Sequence, residues 1–207
     1  ENYLKSKGVP LDKKKVVITL RPYRFLGFAN PMELYNNYIE AVTGFVGFLI
    51  DKGFHVTFMA HTLGPSAHEN DSLAIKEVMN QLDKETFSNV SFIEDYDLNC
   101  RDVEKIYSYY DYMIGTRFHS VIFSLNVNVP SIAIAYGGNK GKGIMNVLGN
   151  DDFSIDMDKI CYDTLVDKFE KLVRERDIYL ENLKEKRRMI ENERIRLIDE
   201  IRGILRL

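Results

Sequence analysis

The sequence predicts an α/β fold, a doubly wound and mainly parallel sheet of six strands with helices on both faces. Short apolar runs alternate with helical patterns along the chain, and this alternation is typical of parallel strands joined by right-handed crossovers. The first run, Val16 to Leu20, is apolar at almost every position, as expected for a strand covered on both faces. These observations together predict a Rossmann-like sheet.

The predicted strands are short apolar segments, each bounded by polar or turn-forming residues. They are Val16 to Leu20, His55 to Ala60, Val90 to Ile93, Tyr112 to Ile114, Ser131 to Ala135 and Phe153 to Ile155. A long helix, Pro31 to Asp51, joins the first two strands; it begins with proline and is followed by Gly53. Asp71 and Ser72 are expected to cap the next helix, and another helix is expected over Asp102 to Tyr110.

The chain is predicted to end in two helices, Asp163 to Arg176 and a long one from Asp177 to about Leu205. Apolar residues recur on the long helix at seven-residue intervals, at Leu183, Ile190, Leu197 and Ile204. The positions between them are only half apolar, so a sustained coiled coil is not predicted. A narrow apolar stripe still needs a partner surface, and we expect a homodimer that covers it through this C-terminal helix.

Composition predicts a globular domain without general affinity for nucleic acid. The chain has 207 residues, 45% of them hydrophobic, which is enough to bury a full core. The 28 basic and 31 acidic residues leave a net charge of -3, so an anion site must be local. No apolar run is long enough for a membrane span and no leader pattern is present, which predicts a cytoplasmic protein.

Neither a metal nor a cofactor is predicted. Cys100 and Cys161 are isolated and lack metal-ligand spacing, so they are interpreted as reduced thiols. His61 and His68 lie near acidic residues, but their irregular spacing matches no metal-binding motif.

The chain starts at Glu1 rather than methionine, which we interpret as a fragment of a longer protein. Residues 1–13 are polar and lysine-rich and are predicted to be a linker or domain edge. Residues 14–207 are predicted to form one domain that folds alone.

The chemistry is concentrated after the fourth predicted strand. Gly115 permits a sharp turn there, and Thr116 is predicted to be the N-cap of the following helix. Arg117 and His119 then fall in the first helical turn, where unpaired N–H groups and the positive end of the helix dipole favour an anion.

Two further strand ends repeat this arrangement. Tyr136 follows the fifth strand, and Lys140, with Lys142 nearby, opens another helix. Arg21 follows the first strand and is a candidate carboxylate or phosphate clamp, whereas Arg24 is interpreted as a surface cation. Because ligands bind at the carboxyl ends of strands in open α/β sheets, these side chains are expected to face one crevice.

The order Gly-x-Arg-x-His, a proline before an apolar strand, then tyrosine, lysine and glycine resembles the signature of the polysaccharide pyruvyl transferase family. The matching residues are Gly115, Arg117, His119, Pro130, Tyr136, Lys140 and Gly143. Three residues separate Tyr136 from Lys140, where the family pattern has two. The resemblance implies the C-terminal, donor-binding half of a two-domain enzyme of the GT-B type, with the N-terminal acceptor domain absent from this chain.

The resemblance also implies a transferase that moves the enolpyruvyl group of phosphoenolpyruvate to a sugar as a pyruvate ketal, in bacterial cell-surface or exopolysaccharide biosynthesis. The acceptor would be a sugar or a lipid-linked oligosaccharide. His119 is the candidate proton donor, and the candidate substrate-binding residues are Arg21, Gly115, Arg117, Tyr136 and Lys140. Because a second domain must hold the sugar hydroxyls, the chain alone is expected to be inactive.

Two alternatives stay open at this point. The chain could be the nucleotide-sugar-binding half of a GT-B glycosyltransferase, in which case Asp151, Asp152 or Asp156 would be candidate partners of the ribose. It could also be a binding domain without catalytic activity.

Overall fold

Parallel strands form the centre of the computed structural model, which describes residues 1–136 and 140–205, apart from the side chains of residues 140 and 141. The strands are β1 (Lys15–Thr19), β2 (His55–Met59), β3 (Val90–Ile93), β4 (Tyr112–Gly115), β5 (Ser131–Ala135) and β6 (Ser154–Asp156). They make a 6-stranded sheet in the order β3-β2-β1-β4-β5-β6, and every neighbouring pair is parallel. The predicted Rossmann-like sheet is confirmed.

Helices connect the strands and cover both faces of the sheet. They are α1 (Asn2–Ser6), α2 (Pro31–Asp51), α3 (Asp71–Gln81), α4 (Lys84–Ser88), α5 (Cys100–Tyr107), α6 (Phe118–Asn126), α7 (Lys140–Val147), α8 (Tyr162–Arg174) and α9 (Arg176–Leu205). Short 3-10 turns flank β6, at Asp151–Phe153 and Met157–Lys159. In the part of the chain described here, no helix combines the length and the apolar character needed to cross a membrane.

The central strand β1 contributes to two separate hydrophobic cores because successive side chains of a strand point to opposite faces. Val16 and Ile18 belong to the larger core, together with residues of α2, α8 and α9. Val17 belongs to the smaller core on the other face, with residues of α1 and α5. All the side chains of β1 are buried, which explains why its sequence is an almost continuous apolar run.

The N-terminal segment predicted as a linker or domain edge is packed onto this smaller core. It contains α1, and its Leu4 and Val9 are 1% and 2% exposed. Polar and lysine residues dominate its sequence, but Tyr3 and Leu11 also pack against this core, and the Tyr3 hydroxyl donates to Asp95 at 2.9 Å. The assignment of residues 1–13 as a linker or domain edge stays a prediction.

At α5 and α3 the first residue or the N-cap differs from the prediction, because other side chains cap these helices. α5 begins at Cys100 rather than Asp102, because Asn99 and Asp102 form a reciprocal capping box. At α3 the prediction that Asp71 and Ser72 cap the helix is wrong. The N-cap is Asn70, whose side chain accepts a hydrogen bond from the Ser72 N–H. Asp71 is thereby left for another contact.

The buried residues of the long helix α9, among those described, lie near its start. Tyr179 and Leu183 are fully buried, and the Tyr179 hydroxyl donates to the Ser131 carbonyl at 3.0 Å and accepts from the Ser131 N–H at 3.1 Å. Further along, the predicted stripe lies on the surface, with Leu197 57% and Ile204 79% exposed. The homodimer through α9 stays a prediction.

The order of the sheet places a ligand crevice at one point. The order in which strands are added changes side between β1 and β4: β2 and β3 are added on one side of β1, and β4, β5 and β6 are added on the other. In sheets of this kind ligands bind outside the carboxyl ends of the strands at such a switch point. The segments after Thr19 and Gly115 meet there.

Candidate functional site

A cavity of about 240 Å³ lies at the carboxyl ends of β1, β4 and β5. Among the predicted site residues, those that line it are Arg21, Gly115, Arg117 and Tyr136. The rest of the lining comes from the start of α6 and the end of β5, at Thr116, Phe118, Val121, Ala133, Ile134 and Ala135. Residues that are far apart in the sequence thus share one crevice at the switch point of the sheet.

Arg21 is stacked on an aromatic ring at the edge of this cavity. Its guanidinium carbon lies 4.4 Å from the centroid of the Tyr136 ring, within the range of a cation–π contact. The Tyr136 ring in turn contacts that of Tyr23, with centroids 5.1 Å apart. The Arg21 Nε is buried and finds no hydrogen-bond partner among the described residues. A buried donor without a partner costs about 1–3 kcal/mol, so a bound anion that accepted from Nε would be favoured.

Arg117 is held by an acidic residue that lies far from it in the sequence. One oxygen of Asp71, Oδ1, accepts hydrogen bonds from Arg117 Nε at 2.8 Å and Nη2 at 2.6 Å. The Arg117 side chain is 11% exposed and that of Asp71 is fully buried. Burial raises the pKa of the Asp71 carboxyl, while the guanidinium and two backbone N–H groups oppose that rise.

Asp71 is a contact of the predicted site residue Arg117 that the sequence pattern did not reveal. Its position just before an apolar-periodic helix is typical of a capping residue, and that interpretation is wrong. Nothing within the loop or the helix indicates a partner at Arg117, 46 residues away. The sequence signal that Asp71 is not needed as a cap was the adjacent Asn70, because asparagine can cap the helix by itself, and Asn70 does so.

The start of α6 also differs from the prediction. Thr116 does not cap the helix: its hydroxyl donates to the Thr19 carbonyl at 3.0 Å and so ties the end of β4 to the end of β1. Arg117 occupies the N-cap position in an extended conformation and makes no side-chain cap. The helix therefore begins one residue later, at Phe118, and the Arg117 side chain is directed to Asp71.

Gly115 has a packing role at this turn. A Cβ at Gly115 would come within 2.6 Å of the Val121 side chain and 3.0 Å of the Ser120 hydroxyl. The absence of a side chain lets α6 pack directly on the end of β4, where it forms the cavity wall.

We expect Gly115→Ala to lower the free energy of unfolding by about 1–3 kcal/mol, as for other overpacked interiors. Gly47→Ala is the matched control, because it lies in α2 and an added Cβ there meets no atom within 4 Å. That change is expected to stabilise the protein by about 0.5–1 kcal/mol. Urea denaturation of both variants checks the prediction, and an unchanged midpoint for Gly115→Ala would contradict it.

His119 lies beside the cavity but does not line it. It is exposed, in the first turn of α6, with its ring 5.5 Å from that of Phe118 and 6.3 Å from that of Phe123. The Phe123 ring also contacts His61, at 5.5 Å between centroids. Burial, together with the nearby charges of Arg117 and His119, lowers the pKa of His61 to about 4, so His61 is neutral near pH 7.

The basic residues of α7 are only partly placed. The side chain of Lys140 lies outside the described residues, so its predicted contact with the crevice stays a prediction. Lys142, which lies near Lys140 in the sequence, forms an ion pair with Asp156 at 2.6 Å. Arg24, three residues after Arg21, is exposed. Across residues 1–136 and 140–205, no cluster of three or more His, Cys, Asp or Glu side chains could hold a metal ion.

Solved structures share this fold at low sequence identity. The ADP-heptose lipopolysaccharide heptosyltransferase II of Escherichia coli matches with a TM-score of 0.59 and 12% identity, over 85% of this chain and 51% of that one. A sucrose-phosphate synthase of Thermosynechococcus elongatus matches with a TM-score of 0.57 and 12% identity, over 99% of this chain and 48% of that one. These neighbours are GT-B glycosyltransferases, and the predicted likeness to half of a GT-B enzyme is confirmed.

The sequence comparisons identify the family. AmsJ of Erwinia amylovora, described as an amylovoran biosynthesis protein, is 26% identical over 151 residues, which are 71% of this chain and 34% of AmsJ. The chain therefore spans about a third of the length of that relative. The pattern of the polysaccharide pyruvyl transferase family matches residues 7–138, a stretch that includes Arg21, Arg117, His119 and Tyr136 and ends before Lys140. This match covers more than half of the chain, which therefore belongs to the polysaccharide pyruvyl transferase family.

Proposed function

We propose that the protein of which this chain forms part transfers the enolpyruvyl unit of phosphoenolpyruvate to a sugar as a pyruvate ketal. The observation that carries the proposal is the convergence of Arg21 and Arg117 on one cavity at the switch point of the sheet. Phosphoenolpyruvate bears a carboxylate and a phosphate on a three-carbon frame. Two guanidinium groups beside a helix N-terminus match those two anionic groups.

The size of the cavity favours a small donor. At about 240 Å³ it falls below the range of roughly 300–1,000 Å³ that is typical of pockets for drug-sized ligands. A nucleotide sugar is much larger than phosphoenolpyruvate. Two of the three acids that a ribose could have used are also engaged elsewhere, since Asp152 pairs with Lys171 and Asp156 pairs with Lys142.

The two arginines have different roles in this proposal. Arg117 is compensated by the buried carboxylate of Asp71, so it offers directed N–H groups rather than net charge. Arg21 makes no ion pair with any residue described here and keeps a buried Nε without a partner. We assign to Arg21 the main electrostatic attraction for the donor, and to Tyr136 the surface on which its guanidinium is held flat.

The proposed reaction balances with one acid and two sugar hydroxyls. The methylene carbon takes a proton and becomes a methyl group, and an oxocarbenium-like centre develops at the central carbon. Two hydroxyl oxygens bond to that carbon and the C–O bond to phosphate breaks. One of the two hydroxyl protons replaces the proton given to carbon, and the other leaves with phosphate. His119 is our candidate for the acid, because an exposed imidazole in the first turn can reorient toward a bound donor.

The biological setting is part of the same proposal. The family description and the likeness to an amylovoran biosynthesis protein support a role in bacterial exopolysaccharide or cell-surface polysaccharide synthesis. We propose that the acceptor is a sugar or a lipid-linked oligosaccharide, met at the cytoplasmic side of the membrane. Residues beyond this chain would hold that acceptor.

Calorimetric titration of this chain with phosphoenolpyruvate tests the donor assignment, with a UDP-sugar as the competing ligand. Arg21→Ala is expected to weaken phosphoenolpyruvate binding by about 10- to 100-fold, because hydrogen bonds to charged groups are worth about 1.5–3 kcal/mol. Arg24→Ala is the matched control and is expected to leave the affinity unchanged, because Arg24 is exposed and outside the cavity lining. Tight binding of the UDP-sugar without binding of phosphoenolpyruvate would favour a glycosyltransferase instead.

A further inference from the structure

We infer that Asp71 is a positioning residue: it holds one edge of the Arg117 guanidinium so that the other edge faces the donor in the cavity. The inference rests on the proposed function, because it assigns Arg117 an anionic ligand. Asp71 is the first residue of α3, directly after the loop that follows β2, and neither β2 nor that loop contributes to the cavity lining.

The hydrogen bonds use one edge of the guanidinium. Nε and Nη2 both donate to Asp71 Oδ1, and Nη2 also donates to the Glu69 carbonyl at 3.3 Å. Nη1 makes no hydrogen bond within the described part of the chain. Because the guanidinium is rigid and planar, holding the Nε–Nη2 edge fixes the direction of the Nη1 donors. Arg117 lines the cavity, so those donors are the ones available to an anion there.

The carboxylate itself is fixed by backbone. Its second oxygen, Oδ2, accepts from the N–H groups of His61 and Thr62, each at 3.0 Å. The Asp71 N–H donates to the Thr62 carbonyl at 2.9 Å, so the two ends of the loop after β2 are joined. Asp71 therefore cannot rotate without breaking the loop, and the orientation of Arg117 is set by a rigid frame.

Stability alone is a weak explanation for this pair. Replacing a buried ion pair by apolar residues of similar volume is often neutral or stabilising, so the pair adds little that packing could not supply. An oriented guanidinium at a cavity wall is something that an apolar pair cannot provide.

A purely electrostatic role and a positioning role of Asp71 predict opposite changes in the affinity for an anion when the charge of Asp71 is removed. If Asp71 only reduced the positive charge of the cavity, Asp71→Asn would tighten the binding of an anion. In the positioning role the same change loosens Arg117 and weakens binding. We expect Asp71→Asn to weaken phosphoenolpyruvate binding by about tenfold, which corresponds to a loss of about 1.4 kcal/mol.

A double-mutant cycle measures whether Asp71 acts through Arg117. In an Arg117→Ala background, Asp71→Asn is expected to have no further effect on the affinity. Tighter binding by Asp71→Asn, or losses that add in the double variant, would overturn the inference. If Asp71→Asn fails to fold, Arg117→Lys replaces it as the test variant. It keeps a positive charge opposite Asp71 but removes the planar guanidinium with its several N–H donors. Binding to Arg117→Lys as tight as to the native chain would equally overturn it.

A measurement without ligand separates this inference from the proposed function. The Nε–H proton of Arg117 is expected to exchange slowly with water, as seen by nuclear magnetic resonance of ¹⁵N-labelled protein, and to exchange quickly in Asp71→Asn. The exposed Arg24 provides the reference for fast exchange. If the native chain fails to bind phosphoenolpyruvate, the proposed function fails, and the exchange of Arg117 Nε–H then decides the positioning role. Equal exchange in both proteins would exclude that role.

Discussion

Replacing His119 by glutamine in the full-length protein is expected to lower turnover by about 10²- to 10⁴-fold, the usual contribution of a general acid. The affinity for phosphoenolpyruvate is expected to change little, because His119 does not line the cavity that holds the two arginines. Glutamine preserves much of the size and hydrogen-bonding capacity of the imidazole but cannot supply a proton near pH 7. The readouts are kcat from phosphate release and, separately, the dissociation constant of the donor.

His68→Gln is the matched control for this experiment. His68 is exposed in the loop after β2, and its replacement is expected to leave both quantities unchanged. A His119→Gln enzyme that loses affinity but retains its turnover at saturation would make His119 a ligand rather than the acid. Unchanged turnover and affinity would remove it from the site.

Tyr179→Ala is expected to lower the free energy of unfolding by about 3–5 kcal/mol, as for other large-to-small changes of a buried aromatic residue. Tyr179 is 1% exposed and packs against Phe153 with ring centroids 5.0 Å apart. Its hydroxyl also bonds both the N–H and the carbonyl of Ser131 at the start of β5. The change therefore opens a cavity and leaves buried backbone groups of Ser131 without these partners.

Urea denaturation measures this loss, and Tyr96→Ala is the control. Tyr96 is 73% exposed, so its replacement is expected to change the free energy of unfolding by less than about 0.5 kcal/mol. A change below about 1 kcal/mol for Tyr179→Ala would show that α9 contributes little to the stability of the domain. Tyr179→Phe should fall between the two variants, because it keeps the ring and loses only the hydroxyl.

Local pattern was enough to predict the sheet and the strand ends that carry the site. The run Val16 to Leu20 predicted a strand buried on both faces, and β1 is such a strand. Arg21 and Arg117 were placed near the site because each follows an apolar run, and parallel strands end at the same edge of a sheet. Both arginines line one cavity with Tyr136. The catalytic and binding roles of these residues stay predictions until the experiments above are done.

Local sequence patterns were less informative where the same residue type can either cap a helix or contact a distant part of the chain. Thr116 and Asp71 each stand where a helix cap is common, yet Thr116 bonds the Thr19 carbonyl and Asp71 bonds Arg117. The local sequence around a residue that caps a helix can be the same as that around a residue whose side chain reaches another strand. The apolar stripe of α9 shows the same limit, because Leu183 is buried and Leu197 is exposed although they occupy equivalent positions of the repeat.

The sequence by itself determined which segments form the sheet, which faces they bury and which strand ends carry cationic side chains, because these features depend on neighbouring residues and on the period of the backbone. Only the tertiary structure decided that the loop after β2 reaches past β1 to the end of β4, where Asp71 meets Arg117. It also decided that His119 faces solvent beside the cavity. The physical reason is that such contacts depend on strand order and on how loops cross the edge of the sheet, and both are set by the packing of the whole domain.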